Sequence, residues 1–208
     1  MDAAPSTTGS GSKACTRAEA QRSRILRAAE QCFVEKGFHA ASMAAIAQTA
    51  EMSPGLIYRY FKSKNEIILA IIDHQLGLAR ARIGELHGAA DLAAGITRAF
   101  QKAGEGDKKS ISAPLFLEMS AEATRDPQIA AAIREFDSTV RADIAHVLAR
   151  SPKQGGYGLE AGSAAAGRAL LLICLLDGLK VREAREPHLD RKLLHAALTE
   201  LLNELLTP

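Results

Sequence analysis

The fold class that this sequence predicts is all-α. Apolar residues recur at spacings of three and four along most of the 208 residues, as on the buried faces of amphipathic helices. No segment alternates convincingly between polar and apolar residues, as a half-buried strand would. Prolines are confined to ends and junctions, where a missing amide donor is tolerated. We therefore expect a chain of nine helices.

The first three predicted helices are joined by very short connections. Thr16 begins the first helix with a capping-box pattern, and Gly37 ends it. Ser42 caps a short second helix, MAAIAQTA. Ser53 caps a third, with Pro54 at its first position. The few residues between the second and third helices predict a sharp helix-turn-helix.

The remaining helices begin at recognisable caps. Ser63, with Glu66 three residues later, begins a long fourth helix that we expect to end near Gly88. A polar break at 104–110 interrupts the C-terminal part. The starts or spans of the other five predicted helices are Asp91, Pro114, Asp126-Pro127, 159–182 and 189–206.

Composition limits the classes of function. Three distant cysteines, Cys15, Cys32 and Cys174, form no C-x-x-C pair, so we expect no disulfide framework or metal site and favour a reducing cytoplasm. The longest apolar run spans eight residues, 169–176, against the roughly 20 that cross a bilayer, so no membrane association is expected. Residues 1–15 are rich in small polar residues and are predicted to be a disordered tail.

Charge divides unevenly along the chain. Residues 1–82 hold 11 Lys and Arg against 7 Asp and Glu, a net charge of +4, whereas residues 83–208 hold 15 against 17, a net charge of −2. The excess of positive charge in the first part indicates that this part meets a polyanion.

Residues 24–66 carry a pattern that resembles the DNA-binding domain of TetR/AcrR-family transcriptional regulators. The resemblance runs without a gap through G-F at 37–38, the Ser42 cap, I-A at 46–47, S-P-G at 53–55, I-Y-x-Y-F at 57–61 and K-S-K at 62–64. One departure is Glu51, where the family usually has a glycine in the turn. A Cβ in that geometry costs about 1 kcal/mol, and the acid lies near the expected phosphates.

The resemblance implies the nine-helix TetR architecture. Residues 16–62 would form the helix-turn-helix domain and residues 63–208 an effector-binding and dimerisation domain, with the helix at 63–87 linking the two. The effector pocket would be enclosed by the fourth to seventh helices. The last two helices would form a four-helix bundle with a second subunit, or, alternatively, complete the core of one chain.

The third helix has the residues that a recognition helix needs in the major groove. Gly55 lets the backbone approach DNA closely, Leu56 can touch a thymine methyl, and Arg59 is the one long donor that could bond guanine. By position, the resemblance implies phosphate contacts from Ser42, Tyr58 and Lys64, and base-facing positions for Met43, Pro54, Gly55, Leu56, Arg59 and Tyr60. Ser53 could contact a base or only cap its helix.

Some of these residues have a plainer interpretation. Tyr60 could pack against the first helix, and Lys64 could belong to an ordinary solvated face. Ile57 and Phe61 fall four apart on the inner face of the third helix, which predicts that they are core residues.

Candidate effector contacts are harder to find. The apolar candidates are Phe100, Phe116 and Met119, although such residues are more often part of the core than ligand contacts. Asp137 and Asp177 stand on otherwise apolar faces, so each needs an arginine, a helix donor or a cationic ligand group. Residues 115–130 resemble the regulatory domain of TetR-family members related to the choline-responsive betaine regulators, which does not identify an effector here.

The sequence thus predicts a ligand-responsive repressor that binds a near-palindromic double-stranded DNA operator as a homodimer and is released by a small-molecule effector. A transcriptional activator, or a DNA-binding protein without a ligand, is the alternative. An all-α enzyme is disfavoured because the sequence has no H-E-x-x-H, E-x-x-H pair, glycine-rich phosphate loop or G-x-S-x-G.

Overall fold

A computed structural model of the chain describes residues 10–84, 111–186 and 188–207, with side chains from Arg17 onward. The α-helices in these ranges are α1 (Ser10–Ala40), α2 (Met43–Thr49), α3 (Pro54–Tyr60), α4 (Lys64–Gly84), α5 (Ala113–Ala123), α6 (Pro127–Ala149), α7 (Ser163–Arg185) and α8 (Arg191–Leu206). A 3-10 turn at Pro152–Gln154 lies between α6 and α7. The described residues include no strand, which confirms the all-α prediction.

The helix predicted to begin at Asp91, which would carry Phe100, lies outside the described residues, as does the expected end of the fourth helix near Gly88. The start of α1 differs from the prediction, because the helix begins at Ser10 rather than Thr16. Residues 12–36 contain no glycine or proline, so nothing in this stretch breaks the helix. At its other end, Gly37 has φ 78° and ψ 158° and interrupts the regular helix, as predicted.

The chain forms two compact units that divide between Ala70 and Ile71, inside α4. The core of the first unit lies between α1, α2, α3 and the start of α4. Its largest fully buried side chains are Ile25, Phe33, Ile46, Ile57, Phe61, Ile67 and Ile68. This core fixes α2 and α3 against α1, so the outer face of α3 is held in one orientation relative to its own unit.

The second unit is a helical bundle in which α5, α6 and α7 pack on one another. Its core takes the apolar faces of α6, α7 and α8, with fully buried residues such as Leu148, Leu172 and Leu202. Tyr157 and Leu159, from the connection between α6 and α7, are buried in the same cluster. No helix in the described ranges is long and apolar enough to cross a membrane.

Candidate functional site

The helix-turn-helix of the first unit consists of α2, a tight turn and α3. Ser42 Oγ accepts a hydrogen bond from the amide of Ala45 at 3.0 Å and so caps α2. Ser53 Oγ accepts from the amide of Leu56 at 3.3 Å and caps α3. Both bonds satisfy amides that a helix start leaves without an intrahelical partner. The capping role of Ser53, one of its two predicted roles, is therefore present.

The turn between α2 and α3 is a Schellman motif. The amide of Met52 donates to the carbonyl of Ala47, and the amide of Glu51 donates to the carbonyl of Gln48, both at 2.9 Å. Glu51 has φ 50° and is the one non-glycine with positive φ in the described parts of the chain. Glycine is the usual residue at this position of the motif because it has no Cβ. Glu51, which departs from the family pattern, is thus the residue of the turn that has a left-handed backbone conformation.

An ion pair accompanies this departure. The guanidinium of Arg24, on α1, donates to the Glu51 carboxylate at 2.8 Å and lies 3.5 Å from its backbone oxygen. The cation therefore meets both the carboxylate and the negative end of α2. The sequence pattern assigned Arg24 no role, because the two residues lie 27 positions apart.

The two faces of α3 differ in burial. Ile57 is fully buried and Phe61 is 2% exposed, which confirms both as core residues. Outward positions are held by Pro54, Gly55, Tyr58 and Arg59, all exposed. Leu56 and Tyr60 are partly buried, as is Met43 on α2. The predicted base-facing and phosphate-facing residues of α3 thus form one outward surface, with Leu56 and Tyr60 at its margins.

Gly55 has no neighbour that would require a glycine. A Cβ added at this position would meet no heavy atom within 4 Å, and its φ is not in the left-handed region. Packing within the protein therefore does not explain the glycine.

Lys64, at the start of α4, contacts the end of α1. Its ammonium donates to the carbonyls of Phe38 at 2.7 Å and His39 at 3.0 Å. It also lies 4.8 Å from the centroid of the Phe38 ring. These charge-assisted bonds satisfy carbonyls where α1 ends. Lys64 therefore has a structural partner that neither predicted interpretation, a phosphate contact or a solvated face, included.

The start of α4 has the expected cap. Ser63 Oγ accepts from the amide of Glu66 at 3.2 Å, and the Glu66 carboxylate accepts from the amide of Lys62 at 2.8 Å. The reciprocal bond reaches one residue further back than in the usual capping box. The side chain of Lys62 is exposed, beside Phe61 at the end of α3.

The candidate effector residues of the second unit lie on helices that pack together. Phe116 is partly buried and Met119 is 7% exposed on α5. Asp137 on α6 and Asp177 on α7 are both exposed, so the enclosed setting expected for these two acids is not observed. Partial burial raises the pKa of Asp177 to about 6, with a further contribution from the negative charge of Asp137. Partial burial also raises the pKa of Asp137, an effect that the Arg141 guanidinium opposes. The two acids singled out in the sequence are thus electrostatic neighbours.

The outer faces of α7 and α8 include exposed leucines among polar residues. Leu170 and Leu171 on α7 are 46% and 56% exposed, and Leu193 and Leu201 on α8 are 68% and 45% exposed. The inward faces of the same helices bury other leucines, such as Leu198. We call these four leucines the exposed leucine face. Large exposed apolar side chains are typical of surfaces that another molecule covers.

A capped helix-turn-helix on its own compact core, followed by a separate helical unit, defines a helix-turn-helix transcriptional regulator. Residues 25–71 match the family described as bacterial regulatory proteins, tetR family. Residues 89–207 match the family described as BetI-type transcriptional repressor, C-terminal. The chain belongs to the TetR family of DNA-binding transcriptional regulators.

Relatives agree with this assignment. The chain is 34% identical to the HTH-type transcriptional regulator UidR of Escherichia coli K12 over 160 residues, 75% of this chain and 79% of UidR. It is similar in structure to GusR of Salmonella enterica, with a TM-score of 0.70 and 29% identity over 90% of this chain and 95% of GusR. FadR of Bacillus subtilis, solved in complex with stearoyl-CoA, shares the fold at a TM-score of 0.67 and 22% identity, over 86% of this chain and 96% of FadR. UidR and FadR are transcriptional regulators. Membership of the TetR family of regulators excludes the alternative of an all-α enzyme.

Proposed function

We propose that the protein is a ligand-responsive repressor that binds a near-palindromic operator as a homodimer. The observation that carries the proposal is the construction of α3. Ile57 and Phe61 anchor it from behind, while Gly55, Tyr58 and Arg59 face outward. The likeness of residues 89–207 to BetI-type repressors supports repression over activation. We place the protein in the cytoplasm, where its operator lies.

Base reading would depend on few side chains. Arg59 is exposed and has the planar donor pair that suits O6 and N7 of guanine in the major groove. Leu56 offers an apolar contact to a thymine methyl, and the open space around Gly55 admits the DNA backbone or a base edge. Pro54, Met43 and Tyr60 would complete the surface near the bases. Ser53 caps α3 at its start.

Phosphate contacts would position this surface on the duplex. Tyr58 is 53% exposed and presents its hydroxyl outward. Ser42 and the amides at the start of α2 form a second donor group. Lys64 has three N–H donors, two of which are engaged by carbonyls at the end of α1, so its proposed phosphate contact would use the third.

The exposed leucine face would form the homodimer. Four exposed leucines on α7 and α8 give each chain a self-complementary apolar surface, as a two-fold symmetric interface requires. Cys174, exposed on α7, lies three residues after Leu171 and so on the same side of the helix. Two subunits would place two α3 helices in successive major grooves, one helical turn of DNA apart.

The effector would bind among α5, α6 and α7. Asp177 has no ion-pair partner within the described residues, and the negative charge of Asp137 adds to the rise of its pKa. A cationic or hydrogen-bond-donating group of a ligand would give Asp177 a partner and offset its repulsion by Asp137. Phe116 and Met119, with Phe100, would supply the apolar wall. FadR, solved with stearoyl-CoA, is a protein of this fold that holds a small molecule.

The dimer would have two alternative distances between its α3 helices, one that fits the operator and one that does not. The effector would act on DNA binding by favouring the second. α4 spans both compact units, so it is the element through which a change in the second unit would reach the first. By linkage, the effector can release DNA only to the extent that it binds the DNA-incompetent spacing more tightly.

Selection of operators from a random duplex pool tests the DNA-binding part of the proposal. We expect an inverted repeat with half-site centres one helical turn apart, about 34–36 Å, and a footprint of one dimer. Selection of a single half-site, or of no common sequence, would contradict it. Native mass spectrometry of the purified protein tests the effector part, with a bound small molecule that weakens operator binding as the expected result. Operator binding that no co-purifying compound alters would favour a DNA-binding protein without a ligand.

A further inference from the structure

Arg22 lies outside the helix-turn-helix but contacts the residue that ends α3. Its Cζ atom lies 4.5 Å from the centroid of the Phe61 ring. Phe61 is 2% exposed, whereas Arg22 is exposed. The guanidinium therefore covers the outer face of a buried ring and remains in contact with solvent.

Among the described residues, no acceptor forms a hydrogen bond with the N–H groups of Arg22. Stacking on an aromatic face orients a guanidinium without using its N–H groups. Within the same residues, no carboxylate lies within ion-pair distance of Arg22. Five donors are thus held in one place with their positive charge unneutralised.

Arg24 provides a natural comparison two residues further along α1. Its guanidinium is bonded to the Glu51 carboxylate at 2.8 Å, which neutralises its charge. The same helix therefore carries one paired and one unpaired arginine near the DNA-binding surface. Of these two, Arg22 retains the donors and the charge that a polyanion would attract.

The position of Arg22 connects it to the proposed phosphate contacts. Phe61 follows Tyr60 and precedes Lys62 and the capped start of α4 at Ser63. This segment leads into Lys64 at the start of α4, whose third N–H the proposed interface directs toward a phosphate. A guanidinium held beside this segment can donate two parallel N–H bonds to the oxygens of one phosphate.

We infer that Arg22 is a phosphate-contacting residue of the DNA-binding unit, supplied by α1 and positioned by the Phe61 ring. This inference rests on the proposed DNA-binding surface. It adds a contact that the residues of the helix-turn-helix do not provide. Arg22 holds the register of the unit on the backbone and reads no base, because phosphates carry no sequence information directly.

The test compares R22Q with R24Q on a random-sequence duplex over a series of salt concentrations. R22Q removes the charge and keeps a polar side chain of moderate length. We expect it to weaken binding about 3-fold to 10-fold and to reduce the slope of log K against log salt by about 0.9 for each phosphate that is no longer neutralised. R24Q removes the same charge from the same helix, but that charge is already paired with Glu51, so we expect R24Q to leave the slope unchanged. The slope, and not the affinity, is compared, because R24Q also leaves the Glu51 carboxylate without its partner. R22K should keep the slope.

An R22Q slope equal to that of the wild type would overturn the inference and leave Arg22 as a cover for Phe61. Equal reductions of the slope in R22Q and R24Q would also overturn it, since the effect would then follow net charge. Arg59→Ala separates this failure from failure of the proposed surface. If Arg59→Ala relaxes operator preference while R22Q has no effect, only the assignment of Arg22 is wrong. If neither variant changes DNA binding, the surface itself is misplaced.

Discussion

The carboxylate of Glu51 lies 2.8 Å from Nη2 of Arg24 and so ties the turn of the helix-turn-helix to α1. Glu51 is also held at φ 50°, where a Cβ costs about 1–2 kcal/mol. An exposed ion pair contributes about 0.2–1 kcal/mol, so the pair offsets only part of this strain. The turn is therefore a place where the sequence is not optimised for stability.

Substitution of Glu51 tests this strain directly. Glu51→Ala keeps the Cβ and removes the ion pair, whereas Glu51→Gly removes both. We expect the glycine variant to be more stable than the alanine variant by about 1 kcal/mol, after the entropy of a glycine in the unfolded chain has reduced its advantage. Urea unfolding of the two variants measures the difference. An alanine variant as stable as the glycine variant would show that the turn is not strained.

Lys64 provides a second prediction, on stability. Lys64→Met removes two charge-assisted bonds to the carbonyls of Phe38 and His39, and we expect it to lower the free energy of unfolding by about 1–2 kcal/mol. The control is Lys62→Met, whose exposed side chain should matter by less than about 0.5 kcal/mol. Both are measured by urea unfolding. If the two variants were equally stable, the bonds to the carbonyls would contribute nothing, and only the phosphate role of Lys64 would remain.

The helix caps and the bonds of Lys64 differ in how far apart the bonded residues lie along the chain. This difference shows which parts of the fold the sequence could predict. Caps at Ser42, Ser53 and Ser63 follow local rules that span three residues, and all three are present. Ile57 and Phe61 follow from helical periodicity. Lys64 bonds residues 25 and 26 positions away, and no local pattern records such a partner.

The same reasoning applies to the candidate sites. Asp137 and Asp177 could be recognised singly as acids on apolar faces, but their proximity depends on the packing of α6 against α7. The ring contact between Arg22 and Phe61 likewise joins two elements. The only sequence signal for it was the excess of positive charge in residues 1–82, which marks a region and no particular residue.

The exposed leucine face makes a prediction about assembly. Leu171→Glu and Leu193→Glu place charges on side chains that are 56% and 68% exposed in the single chain, so neither should unfold the subunit. We expect each to convert a dimer to a monomer in light scattering at micromolar concentration, because an unpaired charge would be buried at the interface.

The control is Val34→Glu, which changes an apolar side chain of similar accessibility, 39% exposed, on α1. It should leave the dimer intact. Dimers that persist in both leucine variants would show that the two subunits meet elsewhere.

Asp177 makes a prediction about pH. Its folded-state pKa of about 6 lies above the ordinary value of 3.8, so folding takes up protons between these values. The contribution of Asp177 to the stability of the protein is therefore most favourable below pH 3.8 and becomes less favourable as the pH rises to about 6. We expect Asp177→Asn to be more stable than the wild type at pH 7.5 by less than about 1 kcal/mol, since the partly exposed carboxylate is screened by solvent.

The same variant should show no advantage at pH 4, where the carboxyl is largely protonated in the folded protein. Thermal unfolding of both proteins at the two pH values measures the effect. A gain that is equal at pH 4 and pH 7.5 would point to helix propensity or packing and would exclude the carboxylate as its cause.

The central claim is that α3 reads DNA sequence through Arg59, and one measurement tests it most directly. Affinities of the wild type and Arg59→Ala are determined for the selected operator and for a random duplex at one salt concentration. We expect Arg59→Ala to weaken operator binding by about 1–3 kcal/mol and binding to random DNA far less, so the ratio of the two affinities falls. Equal weakening on both duplexes would contradict the claim, because Arg59 would then bind the backbone and the sequence would be read elsewhere.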